Sequence, residues 1–173
     1  MGAATCQAQA GTGSSVSWAN AEGGVKFNLA DSITSTTPIQ IPTSTGTNFS
    51  WIKNLVLAVT GTGTTTISNR NIYMSGATAT GLQLFWKDVA VASYVQAASG
   101  NRPSSSGSNG ATPAGYTLMT TSPAQYDNTS VATSGSGPNG DMAVVVLGVS
   151  GNFAGGPGSA TALPNIIIQY DEA

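Results

Sequence analysis

Residues 51–60, Trp-Ile-Lys-Asn-Leu-Val-Leu-Ala-Val-Thr, constrain the fold more than any other stretch of the chain. At a period of two, Trp51, Leu55, Leu57 and Val59 fall on one face, and Ile52, Val56 and Ala58 on the other. A strand that is apolar on both faces must be covered on both sides, which predicts a central strand of a packed sheet. Gly61-Thr62-Gly63 follows and predicts a tight turn into a hairpin partner over 64–68.

The same period recurs along the chain. Val25, Phe27 and Leu29 alternate inward, as do Leu82, Leu84 and Trp86. Residues 16–19, 72–74, 116–120 and 165–170 read as further short strands, and 142–149 as a second buried one. Lys87-Asp88 either turns the chain into a strand over 89–96 or lies within one long bent strand. Pro38 and Pro42 bracket 39–41 and place it at a sheet edge or in a crossing loop. The polar run 68–71 predicts a break or bulge, and Pro138-Asn139-Gly140 a turn. No segment repeats apolar residues at three and four. About nine or ten short strands with Gly, Pro and Asn between them predict an all-β fold, an antiparallel β-sandwich or jelly roll.

Length and loops define the domains. The 173 residues suffice for one domain with a core. Residues 1–15 are small and polar and read as an extended N-terminal arm; 16–173 read as one β-sandwich domain. Ser/Gly/Thr-rich insertions interrupt it at 97–115 and 121–140. Ordering about twenty residues costs on the order of 20–40 kcal/mol. The first insertion has mainly Ala and Pro to bury, the second Tyr126 and Val131. The expectation is that neighbouring chains hold both, rather than the loops folding back on their own sandwich.

Charge excludes several functions. Only 7% of residues are charged, the net charge is −2, and Lys26, Lys53, Arg70, Lys87 and Arg102 are scattered. That argues against a nucleic-acid partner. No apolar run approaches the roughly 18 residues of a membrane span, so no membrane partner is expected. Residues 1–6 show no secretory pattern, and Cys6 stands where a myristoylation signal needs Ser or Thr. Cys6 is the only cysteine and reads as a reduced thiol, with an intermolecular disulfide as the alternative. Histidine is absent, which removes the usual general base and commonest zinc ligand. No cofactor, metal or catalytic residue is expected.

The remaining candidates are few. Glu22, Asp31, Asp88, Asp127, Asp141, Asp171 and Glu172 are the carboxylates. Asp127 and Asp141 could form a glycosidase pair or ligate calcium, but beside Asn and Gly they read as turn formers. Asn48-Phe49-Ser50 and Asn128-Thr129-Ser130 match the glycosylation acceptor, as chance allows in a Ser/Thr-rich chain. The Gly-rich segments lack the strand-to-helix setting of a phosphate loop. Among the aromatics, Trp51 and Trp86 lie on apolar strand faces and read as core. Trp18 is the freest, a candidate sugar-stacking platform.

The polar segment through Ser15, the alternating strands over 51–60 and 82–86, the Ser/Gly/Thr insertions and the terminal strand over 165–170 have a common texture. It resembles that of small structural proteins of tailed-bacteriophage virions, above all capsid decoration (cement) proteins. The resemblance implies a non-enzymatic protein of the virion, assembled in the bacterial cytoplasm. It implies binding to the major capsid protein and to copies of itself, with a trimer favoured. The alternative is a tail or fibre accessory domain that binds a host-surface glycan.

Overall fold

The computed structural model describes residues 6–60, 62–134, 138, 140–155 and 163–172. Among these residues eleven strands are present: β1 (Cys6–Thr12), β2 (Ser17–Asn20), β3 (Thr47–Phe49), β4 (Lys53–Val59), β5 (Thr62–Met74), β6 (Leu82–Ala90), β7 (Thr117–Leu118), β8 (Ala124–Asp127), β9 (Val131–Ser134), β10 (Asp141–Ser150) and β11 (Ile166–Glu172). A single 3-10 turn at Val91–Ser93 is the only helical element among the described residues. All pairings are antiparallel, and the two sheets pack as a sandwich. The larger has the order β2-β1-β4-β10-β6-β7, with β3 also on β10; the smaller has β11-β5-β8, with β9 also on β5.

The two apolar runs of the sequence become the centre of the larger sheet. β4 is buried throughout, and β10 at every position after Asp141. β6 takes one edge of β10 from Val149–Leu82 to Asp141–Ala90; β4 and β3 share the other. The chain steps out of the ladder between β3 and β4, and Ser50 bridges the gap. Its N–H donates to the Leu147 carbonyl (2.8 Å), and its Oγ accepts from the Leu147 N–H (2.9 Å). A side-chain hydroxyl thus replaces a missing ladder acceptor, as a buried N–H requires. The step also moves Trp51 to the outer face, away from Leu55.

Side chains on the inner face, among them Leu55, Leu84, Trp86 and Val145, meet Ile72 and Tyr126 of the smaller sheet. The outer face carries a second core of Phe49, Ile52, Val56, Phe85, Val144 and Val146, in which Phe49 and Phe85 meet edge to face with centroids 6.0 Å apart. Burying each such side chain contributes about 1.5–3 kcal/mol, so this face also needs a cover. The first insertion supplies it. Ala97 is buried in this core, and Thr47 and Ser106 exchange backbone hydrogen bonds of 2.9 Å. Asn109 Oδ1 accepts from the N–H of Gly46 (2.9 Å) and of Gly151 (3.2 Å). Thr47 Oγ1 donates to the Ser108 carbonyl, and Gly110 N–H to Ser150 Oγ.

Several expectations are corrected. The first insertion is held by its own sandwich, because backbone polar groups as well as apolar residues anchor it. The second insertion contains β8 and β9 and extends the smaller sheet. The segment expected as an arm forms β1 over residues 6–12, paired with β4 and β2, so no domain boundary falls at residue 15. Residues 1–5 lie outside the described residues. β4 and β5 belong to different sheets and form no hairpin: β1 and β10 already occupy the edges of β4. Residues 25–29 turn Val25 and Phe27 inward as expected, but without a strand. β6 runs through Lys87-Asp88 without a turn, but it ends at Ala90 and gives way to the 3-10 turn, so the strand expected to reach residue 96 stops short. The bulge expected at 68–71 is present in β5, where Asn69 (φ 48°) is the one non-glycine residue with positive φ among the described residues.

Candidate functional site

The bulge in β5 turns Arg70 into the protein, where it forms an ion pair with Asp127 of β8; both side chains are fully buried. Asp127 Oδ1 also accepts from the N–H and Oγ1 of Thr129 (2.7 and 2.6 Å), and Oδ2 from the N–H of Asp141 (2.6 Å). Gly140 passes so close that a Cβ there would collide with Asp127, Arg70 and Thr129; its φ of +80° suits glycine for a second reason. The Asp127–Asp141 pair considered for hydrolysis or calcium is therefore a lock between the second insertion, β5 and the start of β10. Burial, then the charges of Asp127 and Asp88, raise the pKa of Asp141 above the usual carboxylate value. Neither carboxylate lines either of the two cavities described below.

Lys53 is the second buried cation. Its Nζ donates to Asn28 Oδ1 and to the carbonyls of Ala30 and Ser32, each at 2.8 Å. Asn28 in turn donates to the Ser32 and Ser35 carbonyls, so this cage shapes the loop over 28–35. Three neutral oxygens saturate the ammonium donors. Burial nevertheless lowers the Lys53 pKa to about 8, with the Asp31 charge opposing the shift.

Trp18 lies on β2, half-buried, and packs against the outer core. Its ring crosses Gly11, where a Cβ would approach it to 2.9 Å, and meets Tyr94 edge to face (centroids 5.9 Å, 66°). Tyr94 donates to the Gly13 carbonyl (3.0 Å); Asp31 Oδ2 accepts from Gly13 N–H (2.8 Å) and Gln96 Nε2 (2.7 Å). Trp18 thus clamps the β1–β2 hairpin to the segment that leads into the first insertion. Trp86 is buried in the inner core, as expected.

Two cavities among the described residues bear on function. An apolar cleft of about 1130 Å³ lies between the inner face of the larger sheet, β11 and the loop over 21–41. Leu55, Leu57 and Leu147 line its floor, with Ile166, Ile168 and Tyr170 along one wall. Among the described residues, β11 pairs only with β5, on one edge. At one end, Cys6 on β1 contacts Tyr170, and burial raises the thiol pKa above its ordinary value.

The other cavity, about 450 Å³, opens on the outer face between β6 and the first insertion. Lys87, Arg102, Tyr116, Asn101, Ser105 and Thr112 line it, and no carboxylate does. Lys87 Nζ stands 4.9 Å from the centroid of the Tyr116 ring. Burial raises the Tyr116 hydroxyl to about 12, so it is a neutral donor at physiological pH. Sequence reasoning missed this site: Lys87 reads as a turn residue, and 15 positions separate it from Arg102. The usable signal is that Arg102 is the sole charge in an insertion of small residues.

Among the described residues, no group of three or more His, Cys, Asp or Glu side chains could hold a metal ion, and no helix is long and apolar enough to cross a membrane. Comparison of the chain with family models, with curated proteins and with solved structures finds no match.

Proposed function

We propose that the chain is a structural protein of a tailed-phage virion, a capsid decoration protein that acts by binding and not by catalysis. The observation that carries this reading is the edge of β11 away from β5, which no other strand among the described residues pairs, beside the apolar cleft. Exposed edges in monomers are ordinarily blunted by charge, proline or a cover. Over residues 166–170, Ile-Ile-Ile-Gln-Tyr, β11 carries neither charge nor proline; its two charges, Asp171 and Glu172, stand at its last positions. The virion placement draws its support from the resemblance in the strands over 51–60 and 82–86 and from the charge-poor composition. The internal roles of Arg70, Asp127 and Lys53 favour a scaffold over an active site.

The occupant we assign to this edge is β11 of a second copy. Antiparallel pairing centred on Ile168 sets Ile166 against Tyr170, Ile167 against Gln169, Asp171 against Asn165 and Glu172 against Pro164 of the other copy. No acidic residue then faces another, and the apolar side chains of each strand roof the other's cleft. Such an isologous pairing closes as a dimer, whereas the trimer implied by the resemblance needs two unlike surfaces. The remaining faces would bind the major capsid protein, with weak salt dependence because so few charges are available.

Light scattering tests the self-association. The full chain is expected at twice its monomer mass, and Ile167→Lys, which puts a cation on each edge, at monomer mass. A monomeric wild type overturns the pairing. Antibodies against the chain are expected to label the head of the virion that carries it; absence from the purified virion overturns the placement.

A further inference from the structure

We propose that the outer cavity under the first insertion is a binding site for an acidic saccharide, a sugar unit that carries a carboxylate. This goes beyond the structural role and does not depend on β11.

The argument starts from charge. The chain is net negative, and its basic residues are Lys26, Lys53, Arg70, Lys87 and Arg102. Lys53 and Arg70 are buried in the bonds described above. Of the three that remain, Lys87 and Arg102 both line this cavity. Neither has an ion-pair partner among the described residues. Two cations thus line one concave site without a lining carboxylate, in a protein of opposite net charge. A small anion enters such a site favourably.

The rest of the lining selects among anions. Ser105 and Thr112 are hydroxyl groups that both donate and accept, the complement of a polyol, while Asn101 is held by Ala98 N–H (3.1 Å) and the Gln96 carbonyl (2.8 Å) and keeps one amide proton to offer. The Tyr116 hydroxyl adds a donor that stays neutral. Lys87, resting over the Tyr116 ring, is held in place before a ligand arrives. The volume falls in the range of small-molecule sites, about 300–1,000 Å³, and suits a compact ring rather than an extended peptide. The cover is itself ordered: Thr47, Asn109 and Ser150 fix the insertion to the sheet, so its side chains stand on a rigid support.

The test is a titration of the full chain followed by amide NMR, with trigalacturonate, neutral maltotriose and inorganic phosphate as the three probes. Trigalacturonate is expected to shift the amides of 101–116 and of β6 around Lys87, with affinity at least tenfold above maltotriose. Lys87→Met and Arg102→Gln are each expected to lower that affinity tenfold or more and to leave the amides of β4 and β10 unmoved. Three results overturn the proposal: no shift with trigalacturonate, equal binding of maltotriose, or phosphate alone moving the same amides with equal affinity. Binding that survives both substitutions also overturns it.

Discussion

The two buried cations anchor two different loops by two different means. Arg70 meets a carboxylate, and the pair fixes the second insertion to β5. Lys53 meets only neutral oxygens, which it gathers from the loop over 28–35. An opposite charge offsets desolvation through direct Coulomb attraction, whereas neutral dipoles leave part of that cost standing. The depressed proton affinity of Lys53 is the visible consequence. The first insertion takes a third route, with no buried charge at all: Thr47 and Ser150 bond its backbone, and its own Asn109 accepts from the Gly46 N–H.

The largest expected effect comes from separating the ionic lock. Asp127→Ala leaves Arg70 buried without its carboxylate and should cost about 3–5 kcal/mol in denaturant unfolding. Hydrogen exchange in β8 should rise while the first insertion stays protected. Unchanged protection in β8 would mean that the strand ladder alone holds the second insertion.

A smaller effect separates the two cations by pH. The folded protein releases the Lys53 proton near 8, whereas an unfolded lysine holds it to about 10.4. Between those values the unfolded chain binds more protons, so stability should rise with pH, by on the order of 2 kcal/mol from about pH 8 to 10. Above about 10 the trend should reverse, because burial raises Tyr94 and Tyr116 to about 12 and the unfolded tyrosines ionise first. The difference between wild type and Lys53→Met, measured by urea unfolding across this range, isolates the lysine. A flat difference would show that the three oxygens fully compensate burial.

The smallest effect concerns the first insertion. Thr47→Val removes the hydroxyl that donates to Ser108 and leaves the fold's apolar contacts in place. It should cost about 1 kcal/mol and raise exchange only over 106–110. A loss as large as that of Asp127→Ala would place the two insertions on an equal footing.

The sequence was legible where burial follows a period. The two-faced strand within 51–60, the apolar run at 142–149 and the bulge at 68–71 lie where alternation and its interruptions put them, except that the strand begins at Lys53 and Trp51 faces away from Leu55. Sheet membership was not legible, since whether β5 pairs with β4 depends on β1 and β10 reaching the edges of β4 first. The insertions were misread for a related reason. Small polar residues carry no period, and their anchors, such as Asn109 to Gly46, join positions far apart in the chain. Trp18 could be singled out as an unusual aromatic, but its partners Tyr94 and Gly11 emerge only from the folded hairpin. Lys87 and Arg102 share a cavity only because the first insertion folds back.

The most direct test of the proposed self-association is hydrogen exchange of the β11 amides that face away from β5, read at high and low protein concentration. Pairing of two copies predicts protection at high concentration that falls on dilution and is absent in Ile167→Lys. Rapid exchange of those amides at every concentration would contradict it.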